Sequence, residues 1–185
     1  MTSFSVAGAR PARVTLVGVL GFTAALAVAS QVALPMPGTP VPFTLQPLVV
    51  VLAGLWLGPL AGAASMCLYL ALGALGLPVF APFGAPGVAR FFGPTGGYLL
   101  AYPVTAFVAG WLAERAPSFG GRAVAAVAGT LVLLLGGLAQ LAVLNGDIAR
   151  ALAIGVTPFV LLDFVKALIA AAIAPSRTAR TRSPA

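Results

Sequence analysis

Between Arg13 and Arg90 this chain carries no Asp, Glu, Lys or Arg, only apolar runs interrupted by Pro and Gly. Such a stretch has no charged face to turn toward water, so it folds where the surroundings are themselves apolar. Composition agrees. Of 185 residues, 61% are hydrophobic and 7% are charged, whereas a soluble domain carries roughly 25% charged residues. The sequence describes an integral membrane protein. At about 20 apolar residues per spanning helix, its length holds five or six spans with short loops and leaves no space for a second, soluble domain. The formal charge of +7 does not indicate nucleic acid, because the cations are scattered among apolar runs and form no basic face.

Missing residue types narrow the chemistry. There is no His, which excludes His-dependent triads, the usual zinc sites and a histidine general base. No paired carboxylates stand ready for acid–base work, so an enzyme is not expected, and neither a metal nor a cofactor is implied. Cys67 is the single cysteine and lies in an apolar run, where a buried, inert thiol is expected rather than a redox site. Lys166 is the single lysine and is followed by Ala167, so no Walker A loop is present. Any transport must draw its energy from elsewhere.

The apolar runs predict an all-α membrane domain of six transmembrane helices over 1–185, with spans at about 14–34, 44–57, 60–77, 97–113, 124–144 and 158–174. The first run follows Arg10 and Arg13 and contains Ala27-Val28-Ala29, a pattern shared with cleavable signal peptides. It is long for one, and the remaining chain inserts in any case. Pro35 to Pro42 cannot be helical, since prolines remove donors and bias the preceding residue away from the α region. Thr44 is a candidate cap for the second span, with Pro47 in its first turn. Gly58-Pro59 separates it from the third. Residues 78–95 form a long outer loop, rich in Pro, Gly and Phe, which is expected to fold back onto the membrane domain; loops of that length are usually functional. Asn145-Gly146-Asp147 reads as a turn and Ile148 to Ile154 as a short surface helix. The last span is expected to start at Pro158 with Thr157 as its cap.

The positive-inside rule orients these spans. With both termini cytoplasmic, Arg10, Arg13, Arg115, Arg122, Arg177, Arg180 and Arg182 lie inside, and only Arg90 and Arg150 lie outside. Loops 35–42 and 78–95 then face outward. The segment 175–185 is expected to be a cytoplasmic tail whose arginines touch anionic lipid.

Two charges interrupt the last span. Asp163 and Lys166, three residues apart, share a helix face. Each intramembrane charge costs about 2.5–3.5 kcal/mol on insertion scales. A structural ion pair offsets part of that, but pairing alone gives no reason to place either charge there; a polar ligand site does. Arg90 stands alone in the apolar outer loop, either snorkelling toward water or folding inward. Folded inward, it would complete a cluster of net charge +1 with Lys166 and Asp163, matched to one carboxylate. Gln46 and Tyr98, near the outer ends of the second and fourth spans, are further candidates for the site or ordinary helix-end residues. Phe43, Phe80, Phe83, Phe91 and Phe92 supply either a pocket wall or an interfacial aromatic belt. Gly21, Ala25 and Ala29 form a strip of small residues along one face of the first span, where helices can approach closely, within this chain or from a partner.

Several strings together resemble the BioY family. Pro37-Gly38-Thr39-Pro40-Val41-Pro42-Phe43-Thr44-Leu45-Gln46 is similar to its signature loop. Gly76-Leu77-Pro78-Val79-Phe80, Phe92-Gly93-Pro94-Thr95-Gly96-Gly97-Tyr98-Leu99 and Asp163-Phe164-Val165-Lys166 resemble its later strings, in the same order over about residues 14–174. Pro82-Phe83-Gly84-Ala85-Pro86 departs from the glycine-rich stretch of relatives. The resemblance implies the substrate-binding (S) component of an energy-coupling factor (ECF) transporter for biotin, in the cell membrane of a prokaryote. It implies biotin contacts at Arg90, Asp163 and Lys166. It also implies a transmembrane coupling subunit and two ATPase subunits as partners, meeting the first helix at the small strip where Ala25 and Ala29 lie. A self-contained oligomeric carrier working without ATPases is the alternative.

Overall fold

The computed structural model describes residues 12–176, with side chains from Thr15. Arg10, the side chain of Arg13, and Arg177, Arg180 and Arg182 of the expected tail lie outside the described residues. Among the described residues seven α-helices follow in order: α1 (Ala12–Gln31), α2 (Gln46–Leu57), α3 (Pro59–Ala74), α4 (Gly96–Arg115), α5 (Phe119–Asn145), α6 (Ile148–Gly155) and α7 (Val160–Ile173). A two-stranded ribbon of β1 (Ala33–Leu34) and β2 (Phe43–Thr44) closes the proline loop, pairing Ala33 with Thr44 and Leu34 with Phe43. A 3₁₀ helix, Gly87–Phe92, lies between α3 and α4.

Helix ends depart from the expected spans for identifiable reasons. The first helix stops at Gln31, and Ala33–Leu34 go to the ribbon because the prolines beyond them can return only as extended chain. Leu45, not Thr44, holds the N-cap position of α2, while Thr44 Oγ1 accepts a bond from the Gln46 N–H at 3.3 Å. Pro59 is the first residue of α3, after Gly58 at φ +96°, and α3 ends at Ala74, short of Leu77. Helix α5 starts at Phe119, earlier than hydropathy suggests, because Ser118 caps it by accepting from the Gly121 N–H. Helix α7 begins at Val160, with Phe159 rather than Thr157 at its N-cap. The Thr157 hydroxyl instead donates back to the Leu152 carbonyl and closes α6.

Among the described residues two helices, α4 and α5, are long and apolar enough to cross a membrane, and the bent pair α6–α7 makes a third if taken as one broken span. The described part of α1, together with α2 and α3, is apolar but shorter. Helices α4 and α5 form the central pair, with α2 and α3 packed on α4, α1 on α2 and α3, and α7 on α2 and α5. The crossing of α2 and α4 is close because Gly54 has no side chain: a Cβ there would lie 2.2 Å from the Ala106 carbonyl oxygen. One core cluster, of small residues such as Ala109, Ala126 and Ala170, fills the end where α4 and α7 finish. The other, with Leu26, Tyr69, Phe80, Tyr98 and Tyr102, fills the end where α2, α4 and α7 begin. Cys67 is exposed on the outer face of α3, so the expectation of a buried thiol is corrected. Its run is apolar all round, and apolarity alone does not say which face turns inward.

Candidate functional site

A cavity of about 60 Å³ opens among the N-terminal ends of α2, α4 and α7 and the loops above them. Gln46, Arg90, Tyr98, Asp163 and Lys166, scattered through the sequence, all line it. Helix N-termini carry a partial positive charge, so this end of the fold favours an anionic group.

Lys166 is 5% exposed, and two of its three N–H donors are engaged. One goes to Asp163 Oδ1 at 2.9 Å and one to the Thr44 carbonyl at 2.7 Å, while the Phe43 ring lies 3.8 Å from Nζ. The ion pair therefore exists, and it lines the cavity rather than hiding from it. Thr44 reaches this position because the ribbon turns the proline loop back over the start of α7.

Arg90 folds inward. The 3₁₀ helix in loop 78–95 turns its guanidinium down, leaving the residue 5% exposed. Nη1 donates to the Phe83 carbonyl and Nη2 to the Ala81 carbonyl. Nε is buried without a partner, a donor left unmet. Burial pushes this guanidinium below its ordinary range. Gly84, at φ +118°, makes the path: a Cβ there would stand 2.2 Å from Arg90 Nη1. That requirement was not read from the sequence, although a glycine between Pro82 and Pro86 was its only signal. A second cavity, of about 200 Å³, adjoins the first at Arg90 and Thr95 and is walled by Pro40, Phe83 and Pro94.

Gln46 is held by its neighbours. Its Nε2 donates to the Tyr69 hydroxyl at 2.9 Å, and its Oε1 accepts from Thr44 Oγ1 at 3.2 Å. Tyr69 packs edge-on to Phe80, which packs on Phe91, so an aromatic stack backs the wall. Phe83 and Phe92 are largely exposed and do not line the inner cavity. Tyr102, one helical turn after Tyr98, also lines it; their spacing of four was a readable sign. Tyr98 donates to the Gly155 carbonyl at 2.5 Å. On α1, Gly21 and Ala25 are exposed, whereas Ala29 is covered by this chain's own packing. Among the described residues no cluster of acidic or cysteine side chains is arranged to hold a metal.

The BioY family model matches residues 5–183. The chain belongs to the BioY family. It is 41% identical over 153 residues to the "Biotin transporter BioY" of Thermotoga maritima, a match covering 83% of this chain and 89% of that one. It is 42% identical, with the same coverage, to the "Probable biotin transporter BioY" of Pyrococcus horikoshii. In three dimensions it resembles the crystal structure of the S-component for biotin from an ECF-type ABC transporter. That match has a TM-score of 0.83 and 27% identity, and covers 96% of each chain. The order in which the site residues occur in this BioY chain thus sits on a fold shared with a biotin-binding component.

Proposed function

We propose that this protein is the biotin-binding membrane component of an uptake transporter. The cavity with Arg90, Lys166 and Asp163 around it carries this reading, in a chain whose relatives are named biotin transporters. Arg90 and Lys166 serve the ligand carboxylate, and Asp163 orients the lysine and accepts from a ligand N–H. The second cavity, of about 200 Å³, adjoins this space at Arg90 and Thr95 and gives the rest of the ligand room. Six spans, the last formed by α6 and α7 together, put both termini in the cytoplasm and the cavity toward the outside.

Import needs an energy source, and this sequence has no P-loop. A transmembrane coupling subunit with two ATPase subunits supplies it, docking on the exposed face of α1 at Gly21 and Ala25. Labelled biotin titrated into the purified protein in lipid nanodiscs should bind saturably and be displaced by unlabelled biotin. No saturable binding would overturn the reading. Uptake by liposomes containing this chain alone would overturn the need for ATPase partners.

A further inference from the structure

The break between α6 and α7 lies beside the cavity. The helices bend by 54° there, and α7 then presents Asp163 and Lys166 within its first two turns. Within the junction the Thr157 hydroxyl holds the Leu152 carbonyl and Phe159 is buried in the core, so what the segment bonds by itself is local. Helix α7 opens without a side-chain cap, and Pro158 has no N–H to donate. Its backbone bonds are short-range, from Phe159 N–H and Val160 N–H to the Val156 carbonyl and from Asp163 N–H to the Phe159 carbonyl.

A side chain from α4 reaches across to it. The Tyr98 hydroxyl donates to the Gly155 carbonyl at 2.5 Å, at the last residue of α6, where helix carbonyls lack intrahelical donors. The fold has cleared a slot for this ring. A Cβ at Gly137 would lie 2.0 Å from Tyr98 Cζ, and one at Gly155 would lie 2.3 Å from Leu141 Cδ1 and 2.9 Å from the Tyr98 hydroxyl. A phenol has one proton to give, and here it is committed to the backbone.

We propose that Tyr98 is a positioning residue: it fixes the angle between α6 and α7, and thereby where Asp163 and Lys166 stand, rather than donating to the ligand. The proposal rests on the reading of the Asp163–Lys166 end as the biotin site. It assigns Tyr98 a role acting through α7, in place of a direct polar contact.

Spin labels at cysteines replacing Arg150 and Ile173, both exposed, report the bend in a Cys67→Ser background. Pulsed EPR distances in nanodiscs without ligand should give one narrow distribution, broadened or shifted by Tyr98→Phe. Gly137→Ala, with the tyrosine intact, should do the same by displacing the ring from its slot. Tyr98→Phe should also lower affinity about tenfold for biotin and for its carboxamide alike, and far less in a Lys166→Ala background. An unchanged distance distribution would overturn the proposal. So would a loss confined to the carboxylate ligand, or losses fully additive with Lys166→Ala. If wild type binds no biotin, the ligand reading has failed; the distances alone then decide the hinge.

Discussion

Lys166 stands at the point where structure and ligand compete for the same ammonium group. Asp163 and the Thr44 carbonyl take two of its donors and leave a third for the cavity. Lys166→Ala is expected to weaken biotin binding by about 1.5–3 kcal/mol, the range for a hydrogen bond to a charged group. Part of the loss comes from Asp163 being left unpaired in a low-dielectric site. Isothermal titration with biotin and its carboxamide checks the assignment: the amide should lose affinity for wild type and little for the variant. Equal losses in both would exclude Lys166 as the carboxylate's partner. Gly84→Ala is expected to lower affinity about as far as Arg90→Ala does, because the new methyl occupies the guanidinium's place; unchanged affinity in the same titration would show that Arg90 can reach the ligand by another path. Asp163, Lys166 and Arg90 were legible in the sequence because a charge in an apolar span or loop is costly and needs a reason. The carbonyls of Thr44, Ala81 and Phe83 were not, since a backbone acceptor leaves no mark on residue type.

At the scale of elements, α1 divides its small residues between two tasks. Gly21 and Ala25 face outward, and a Cβ at Gly21 would meet nothing within 4 Å. Ala29 is 7% exposed, and next to it Ser30 donates to the Val79 carbonyl at 2.6 Å while Gln31 Nε2 donates to the Phe80 carbonyl at 3.2 Å. The end of α1 thus holds the strand of loop that carries Phe80 into the cavity wall. Ala25→Trp is expected to leave biotin binding by the isolated protein near normal and to abolish ATP-dependent uptake with the partner subunits present. Ala29→Trp should reduce binding itself, because its ring has no space beside the loop. Uptake and co-purification surviving Ala25→Trp would place the docking face elsewhere. Hydropathy alone could not make this division, for Ala25 and Ala29 look alike in a run that is apolar all round. Helix ends escape hydropathy for a related reason: the start of α5 at Phe119 depends on a Ser118 cap within a stretch that reads as loop, and α7 starts late because the turn 156–159 intervenes.

For the whole molecule, the charges and the architecture point the same way. Arg115 and Arg122 flank the α4–α5 junction at one end of the fold, while Arg90 and Arg150 belong to the opposite end. Arg115 lies over the Trp111 ring at 3.5 Å, and Arg122 donates to the Ala171 carbonyl at 3.2 Å. Aromatic and cationic side chains of this kind anchor helix ends at a membrane interface. With the α4–α5 junction in the cytoplasm, as the positive-inside rule expects, the cavity and loop 78–95 would face outward, the side that the proposed uptake requires. Single cysteines at Ser118 and Pro86, both exposed, in a Cys67→Ser background test this directly. Intact cells treated with a membrane-impermeant thiol reagent should be labelled at 86 and not at 118, and permeabilised cells at both. The second condition matters because it shows that position 118 can react at all. Labelling at 118 alone in intact cells would turn the protein over, put the Arg90 loop in the cytoplasm, and make the cavity an exit rather than an entrance.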